Sequence, residues 1–321
     1  MRSAGIRCDK RRQQGCALTN AKTKIRSAMR PANDHLGRSS TGRGLWLLPG
    51  TQKNQIMVFV RAAIWGIFGS ESVSIRGVMD TATYAAEAVL EENHWWYVGR
   101  RALFSDTIKT FGLPENADIL DVGTSAGTSL RMLRELGFSR VHGVDQSPDA
   151  IRFCAEKGLG KVDLGDICAL PFDNRRFDLV LATDIIEHVE DDLLALRELH
   201  RVLKPGGYLL LTVPTFPILW GLEDEVSHHK RRYRLPELLE KLNQTNLVPT
   251  QYFYFNYLLF LPILVTRLLM RMINVKVATE GEINTAWTNR VLAPLFRFDV
   301  MTASRVRPLI GVSALAVATR K

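Results

Sequence analysis

The sequence predicts an α/β fold built on a doubly wound, parallel sheet, and two patterns support that prediction. Short apolar runs alternate with helical segments from residue 117 onwards, as in strands joined by crossover helices. The segment Asp121–Gly127 lies between the apolar pair Ile119–Leu120 and leucines at helical spacing. That order indicates a strand, a tight turn and a helix N-terminus, which together present main-chain N–H groups to a nucleotide-like ligand.

The first half of the sheet is predicted from three strands and one capped helix. Ile119–Val122 and Arg140–Asp145 are the first two strands, and Val162–Leu164 is a short third one. A helix should begin after Ser147, because its hydroxyl can cap the helix and Pro148 suits the first helical position.

The second half contains four further strands. Phe177–Thr183 is apolar throughout, which indicates a strand that is buried on both faces. Leucines recur on one face of residues 192–203, so a helix is predicted there, ended by Lys204-Pro205-Gly206-Gly207. The remaining elements are a helix around Leu235–Leu242 and the strands Tyr208–Val213, Val248–Phe255 and Val312–Thr319.

The positive charge of the chain belongs to its N-terminal part. Residues 1–78 contain 14 Lys or Arg and 3 Asp or Glu, while the whole chain has a formal net charge of +9. The remainder is therefore close to neutral, and we expect no nucleic-acid partner. We expect residues 1–78 to form a disordered basic tail, with Met79 as an alternative biological start. The apolar run 56–68 is too short to span a bilayer.

Cysteine and histidine positions indicate neither disulfides nor a metal site. Cys8, Cys16, Cys154 and Cys168 form no closely spaced pair, which favours reduced thiols and a cytoplasmic location. A zinc site would need a tighter cluster of Cys and His, so no metal is predicted.

Two helical segments should flank the core, which we assign to residues 117–255 with the last strand in 312–321. Residues 79–116 are predicted to form an N-terminal lid, and residues 256–311 an apolar helical insertion. Within the insertion, residues 257–273 are apolar but interrupted by Pro262, Arg267 and Arg271. They favour a helical cap over the substrate, or an interfacial helix at a membrane surface, over a spanning helix.

The glycine spacing argues against a nicotinamide-dinucleotide site. Gly123 and Gly127, with Ser125 between them, do not match the pattern G-x-G-x-x-G. Asp145 ends the second strand, where it could accept both ribose hydroxyls. Asp166 follows the third strand and precedes Ile167, and that pair could reach an adenine.

These motifs together resemble a class I S-adenosylmethionine-dependent methyltransferase, over about residues 117–214. The matching pieces, in order, are Asp121–Gly127, Gly143–Pro148, Gly165–Ile167 with Leu170–Phe172, Phe177–Val180, Glu187–Val189 and Leu203–Gly207. The flanks His94–Tyr97 and His229–Tyr233 resemble a bacterial subgroup of small-molecule methyltransferases of type 11 or 12. The resemblance implies a seven-stranded, mostly parallel, Rossmann-like sheet with an antiparallel last strand, and S-adenosylmethionine as cofactor.

The resemblance also implies residue roles. Asp121 and Gly123 would line the methionine part of the cofactor, Asp145 the ribose, and Asp166 with Ile167 the adenine. Further cofactor contacts are assigned to Gln146, to Thr183 beside the reacting centre, and to the loop residues Ser125 and Gly127. Ser125 stands where the family usually has glycine, and its Cβ restricts the turn.

The aromatic helix and the histidines supply the other candidates. Trp96 could attract the sulfonium through its ring face, and Arg101 could pair with the cofactor carboxylate, so both are predicted to belong to a lid. If the acceptor is a hydroxyl, a base must remove its proton. The candidate catalytic bases are His188, His228, His229 and Tyr233, with a structural role as the alternative for each.

We therefore predict methyl transfer to a small-molecule acceptor, lipid-like or a glycan precursor, by a cytoplasmic protein that is soluble or bound peripherally to a membrane through 257–273. Two alternatives remain open: a cofactor-binding module that regulates a partner without catalysis, and an NAD(P)-dependent reductase. The sequence indicates neither the acceptor nor the oligomeric state.

Overall fold

A single sheet of seven strands organises the part of the chain that the computed structural model describes, residues 90–273 and 286–321. The strands are β1 (Asp118–Val122), β2 (Arg140–Asp145), β3 (Val162–Leu164), β4 (Phe177–Thr183), β5 (Leu203–Pro214), β6 (Leu247–Phe255) and β7 (Ser313–Arg320). The predicted tail 1–78, the start of the lid segment and part of the insertion lie outside the described residues.

The strand order is β3-β2-β1-β4-β5-β7-β6. Strands β1 to β5 pair in parallel, and β7 pairs antiparallel with both β5 and β6. The chain leaves β1 in one direction for β2 and β3, and returns on the other side to add β4 and β5. A crevice therefore opens at the carboxyl ends of β1 and β4, where ligands bind in doubly wound sheets. The mostly parallel, doubly wound fold predicted from the sequence is confirmed.

Helices cover both faces of the sheet. They are α1 (Trp95–Lys109), α2 (Thr128–Glu135), α3 (Pro148–Glu156), α4 (Asp192–Val202), α5 (Leu222–Val226), α6 (Leu235–Gln244), α7 (Phe260–Ile273) and α8 (Ala286–Val306), with a 3₁₀ turn at Pro217–Leu219. As predicted, Ser147 caps α3 by accepting a hydrogen bond from the N–H of Ala150, and Pro148 follows it.

The central strands are buried on both faces because their side chains alternate between two cores. Ile119 and Leu179 pack on the side of α1, α2 and α8, whereas Leu120 and Val180 pack on the side of α4 and α6. All four side chains are completely buried. Apolar residues at every position, rather than alternate ones, are what a central parallel strand requires.

Strands β1, β6 and β7 differ from the predictions by one residue at their ends, and β5 differs by more. Strand β5 begins at Leu203, directly after α4, whereas the sequence predicted a strand from Tyr208. The Lys204–Gly207 segment bulges out of the pairing with β4, because Phe177 pairs with Leu203 and Leu179 with Tyr208, and Gly206 within it has a φ of 76°. Helix α1 begins at Trp95, since the His94 ring nitrogen Nδ1 accepts a hydrogen bond from the N–H of Trp96. Burial lowers the pKa of His94 to about 4, so the ring stays neutral and keeps an acceptor nitrogen.

Helices α7 and α8 lie between β6 and β7 in the chain. Asp299 of α8 accepts hydrogen bonds from the N–H groups of Asn256 and Leu258, at 2.7 and 2.8 Å. The ring of Phe296 contacts Trp95 and Trp96 of α1, with centroid distances of 5.2 and 5.0 Å. Helix α8 is thereby joined to both the end of β6 and α1.

The contact between α1 and α8 depends on Gly99. A Cβ atom at this position would lie 2.2 Å from Cδ1 of Phe296. Alanine would favour the helix by about 0.5–1 kcal/mol, but overpacking a core costs about 1–3 kcal/mol. We therefore expect Gly99→Ala to lower the free energy of unfolding, measured by urea titration. In a Phe296→Leu background the loss should shrink, and an equal loss in both backgrounds would contradict the contact.

Candidate functional site

The loop after β1 lies at the crevice and is held in a strained, tight conformation. Gly123 and Gly127 have φ angles of 75° and 79°, in the left-handed region that favours glycine. A Cβ on Gly123 would also meet the side chain of Ile185 at 2.2 Å. Gly127 precedes α2, and no side chain caps the N-terminus of that helix. The N–H groups of Gly123 and Gly127 donate within the protein, to the carbonyls of Val144 and Thr124, so the loop offers a ligand close approach to the main chain without a Cβ in the way.

Ser125 occupies the left-handed region at φ 47°, where a residue other than glycine is strained. Its main-chain N–H donates to Oδ2 of Asp145 at 2.9 Å, which holds the loop in that conformation. The backbone at position 125 therefore has a conformation that favours glycine, the residue that the related family usually has there.

Asp145 ends β2 and is fixed by the main chain. Its second oxygen, Oδ1, accepts a hydrogen bond from the N–H of Ser147 at 2.8 Å. The side chain is half-buried, and the next residue, Gln146, is exposed. The carboxylate is consequently oriented in advance, and its remaining lone pairs can accept hydrogen bonds from a ligand.

Asp121 is buried at the end of β1, next to Asp145. Its Oδ2 atom has no hydrogen-bond partner among the described residues. Burial, together with the negative charge of Asp145, raises the pKa of Asp121 to about 7. An unpartnered carboxylate oxygen in such a place is unfavourable unless a ligand supplies a donor. A ligand with an ammonium group would fit it.

A third acid near the loop is Glu91, which lies outside the motifs identified in the sequence. Its side chain is buried and accepts a hydrogen bond from the hydroxyl of Thr128, at the start of α2. Burial raises the pKa of Glu91, although three arginines partly oppose the shift. Glu91, Asp121 and Asp145 together give the loop an electronegative surrounding that suits a cationic ligand.

The adenine candidates lie beyond β3. Asp166 is exposed, and its Oδ1 atom accepts a hydrogen bond from the N–H of Cys168 at 2.8 Å. Ile167 is buried among the core side chains on the α4 side. This turn combines an apolar wall with an acceptor, as the face and the amino group of an adenine require.

Helix α1 brings Arg100, rather than Arg101, to the end of β4. Arg100 forms an ion pair with Asp184, the residue after Thr183, and its guanidinium lies over the rings of Trp96 and Phe104. These three residues of α1 recur every four positions, so they share one helical face. That spacing is the sequence signal that distinguishes Arg100 from its neighbour.

Trp96 and Arg101, which were predicted to hold the cofactor, are engaged elsewhere. The indole of Trp96 stacks on Phe255 and Phe296, with centroid distances of 5.9 and 5.0 Å. Arg101 donates hydrogen bonds to the main-chain carbonyls of Glu91 and Glu92. Both side chains are occupied by protein contacts, and we assign them to the packing of α1.

His188 and His229 lie together beside the carboxyl end of β4, their ring centroids 4.6 Å apart. Nδ1 of His229 is 2.8 Å from Oδ1 of Asp224, a buried carboxylate that also pairs with Arg232. Burial opposes ionisation of Asp224, but its hydrogen bonds with His229 and Arg232 outweigh that effect and lower its pKa to about 2. The pair can orient the His229 ring towards a ligand. His228 is exposed.

Tyr233 does not share this position. Its side chain is completely buried, and its hydroxyl donates to Oδ2 of Asp192 at 2.8 Å. Burial and the neighbouring carboxylate of Asp192 raise the pKa of Tyr233 above its usual value. A phenol that is enclosed and already donates its proton to a carboxylate is unsuited to act as a base, so we correct its role to a structural one.

Comparisons with known proteins agree on the kind of domain. A family model described as a methyltransferase domain matches residues 120–211. A demethylmenaquinone methyltransferase of Chlorobaculum tepidum is 34% identical over 31% of this chain and 41% of its own length. A 2-methyl-6-phytyl-1,4-hydroquinone methyltransferase of Synechocystis is 35% identical over 41% of each chain.

The chain thus spans about two fifths of the length of these two relatives. An S-adenosylmethionine-dependent methyltransferase of known structure from Mesorhizobium loti is 18% identical, with a TM-score of 0.45 over 72% of this chain and 100% of that one. With its strand order, its glycine loop and the family match over residues 120–211, the chain contains a class I S-adenosylmethionine-dependent methyltransferase domain.

Proposed function

We propose that the protein transfers a methyl group from S-adenosylmethionine to a small-molecule acceptor. The observation that carries the proposal is the succession of three acids at the ligand edge of the sheet. Asp121 offers a buried oxygen in need of a donor, Asp145 a carboxylate held by two main-chain N–H groups, and Asp166 an exposed carboxylate after β3. Amino group, ribose and adenine follow one another in the cofactor in the same order.

The proposed cofactor contacts follow from these positions. The loop residues Gly123, Ser125 and Gly127 allow the cofactor to approach the main chain, and Thr183 borders the reacting centre. Asp121 would hold the amino group and Asp145 the ribose hydroxyls. The other proposed contacts are those of Gln146, Asp166 and Ile167.

Methyl transfer from S-adenosylmethionine requires mainly that the reacting atoms are aligned. S-adenosylmethionine supplies a methyl group on a sulfonium, and the protein must hold the acceptor in line with the carbon–sulfur bond. Such orientation supplies roughly 7–11 kcal/mol of the barrier reduction. For a hydroxyl acceptor, His229 is the first candidate base, because Asp224 fixes its Nδ1 atom and leaves Nε2 for the proton, with His188 beside it.

An apolar, lipid-like acceptor is supported by the surface of the insertion. Large apolar side chains are exposed on α7 and α8, among them Leu261 at 62%, Val265 at 53%, Phe298 at 58% and Met301 at 57%. None of the described helices is long and apolar enough to cross a bilayer. An exposed apolar surface of this kind fits contact with one leaflet of a membrane.

The arginines of α7 are hydrogen-bonded to the protein main chain. Arg267 and Arg271 donate hydrogen bonds to main-chain carbonyls of the 3₁₀ turn and of Trp220, so they face the protein. The two relatives named above methylate quinone-type lipids according to their names, which agrees with an acceptor of this class.

The cofactor contact of Asp145 can be tested by binding alone. We expect Asp145→Ala to weaken S-adenosylmethionine binding about tenfold or more, because charge-assisted hydrogen bonds are worth about 1.5–3 kcal/mol. Isothermal titration calorimetry of the full chain measures the effect. Asp106→Ala is the matched control, since Asp106 is exposed on α1 and distant from the loop in sequence. Equal affinity of wild type and Asp145→Ala would count against the site.

The raised pKa of Asp121 predicts pH-dependent cofactor binding. Below about pH 7 the carboxyl is mostly protonated and loses the negative charge that attracts an ammonium group, so affinity should fall with decreasing pH. We expect severalfold weaker binding at about pH 6 than at about pH 7.5 for the wild type. Asp121→Asn should bind weakly at both values, with little dependence on pH. A wild-type affinity that is constant over this range would refute the role of Asp121.

Catalysis can be tested by release of S-adenosylhomocysteine with an acceptor panel. We expect release with a prenylated hydroquinone in phospholipid vesicles, and less with a water-soluble hydroquinone. Cofactor binding without release on any acceptor would favour the regulatory module. Displacement of S-adenosylmethionine by NADH, measured by competition, would favour the reductase.

A further inference from the structure

Three potential metal ligands meet at the carboxyl end of β4. Glu187 and His188 lie in the turn that follows this strand, and His229 lies after α5. One ligand atom from each of the three side chains lies within 4.8 Å of the other two. Among the described residues, no other group of three or more His, Cys, Asp or Glu side chains lies this close. The sequence did not indicate it, because His229 is 41 positions away from His188.

Glu187 is the member of the cluster whose burial no hydrogen bond among the described residues compensates. Its side chain is completely buried, and neither carboxylate oxygen has a hydrogen-bond partner among the described residues. The positive charges of Arg100 and Arg232 act on it from nearby side chains, whereas Asp184 adds a further negative charge. A buried carboxylate without hydrogen bonds is strongly unfavourable unless it takes up a proton or a cation compensates it. A cation held directly by its oxygens would do so.

Each imidazole of the cluster is held by a hydrogen bond to the protein. Nδ1 of His229 is bound to the carboxylate of Asp224, which leaves Nε2 as the free ring nitrogen. Asp224 is itself fixed by Arg232 and by the N–H of Gly221. His188 is hydrogen-bonded to the main chain of Ser227. A metal-binding histidine usually has its other nitrogen engaged by a carboxylate or a main-chain carbonyl.

We propose that Glu187, His188 and His229 bind one divalent transition-metal ion of the Zn²⁺ type, with a further coordination position open to the acceptor. Two imidazoles and one carboxylate are a ligand set found in catalytic zinc sites. Bond lengths near 2.1 Å place tetrahedral ligands about 3.4 Å apart. The ligand atoms lie within 4.8 Å of one another, so binding an ion requires them to approach by at most about 1.4 Å.

The site suggests how the acceptor is activated, a role that rests on the proposed methyl transfer. Thr183 and Asp184, which precede the cluster, border the proposed reacting centre. Coordination to the ion lowers the pKa of an acceptor hydroxyl, whose proton then passes to solvent water. The oxygen forms a bond to the methyl carbon while the carbon–sulfur bond breaks. The electron pair of that bond stays on sulfur, and S-adenosylhomocysteine leaves as a neutral thioether.

The alternative to a metal site is that His229 acts as a general base, and the role of Glu187 distinguishes these two hypotheses. A His229–Asp224 pair that only removes a proton has no need of a second histidine or of an unpaired carboxylate. The metal site needs all three ligands.

The test is a zinc titration of the full-length protein after removal of metal with a chelator. Other cysteines and histidines of the chain can also bind zinc, so the readout is the difference between matched variants. We expect Glu187→Gln and His229→Asn each to lose one equivalent, or to weaken its binding at least about tenfold. Glu190→Gln and His228→Asn are the controls, because both side chains are exposed neighbours of the cluster. They should bind zinc like the wild type.

Substitution with Co²⁺ gives a second readout that a purely structural effect would not produce. The wild type should show the visible absorption bands of tetrahedral Co²⁺ with a nitrogen and oxygen ligand set, and Glu187→Gln should lose them. Circular dichroism and S-adenosylmethionine affinity establish that each variant is folded. Glu187→Gln keeps the shape of the side chain, so the comparison does not depend on a truncated core residue.

The proposal is overturned if the wild type and Glu187→Gln take up the same number of zinc equivalents with the same affinity. It is also overturned if His229→Asn abolishes methyl transfer while the protein binds no zinc in the cluster, since His229 then acts as a base. Cofactor binding is measured without zinc, so a failure of the proposed methyltransferase function would be seen independently of the metal.

Discussion

The reversal of strand order between β1 and β4 is the constraint on which the rest of this structure depends. Because β1 pairs with β2 on one side and with β4 on the other, the chain must leave β1 and β4 in opposite directions. The two connections diverge and open a crevice at the carboxyl edge of the sheet. The glycine loop lies on one side of that crevice, and the segment Thr183–His188 lies on the other.

Unpartnered carboxyl oxygens distinguish this crevice from the remainder of the described core. Asp121 and Glu187 are both buried, and each has at least one carboxylate oxygen without a partner among the described residues. Elsewhere the buried acids are satisfied: Asp224 by Arg232 and His229, and Asp299 by two main-chain N–H groups. The unpartnered oxygens thus lie where two cationic partners, a sulfonium amino acid and a metal ion, are proposed to bind.

Much of the sheet could be predicted from sequence because its strands carry local signals. The runs Arg140–Asp145, Val162–Leu164 and Phe177–Thr183 have the same bounds in the structure as in the prediction. Periodicity was less informative about the helices that flank the sheet. The four-residue spacing of Trp96, Arg100 and Phe104 groups these residues on one face of α1, but only the packing of the helix shows that this face meets the end of β4.

The sequence by itself determined the fold class, the glycine loop and the order of the acids that end the strands, because each of these depends on residues that are close together in the chain. Only the tertiary structure decided which distant groups meet. Glu91 reaches Thr128, Tyr233 is enclosed against Asp192, and His229 lies against His188. Such pairings follow from how the helices pack on the sheet, and contacts between residues that are far apart in the chain produce no periodic pattern in the sequence.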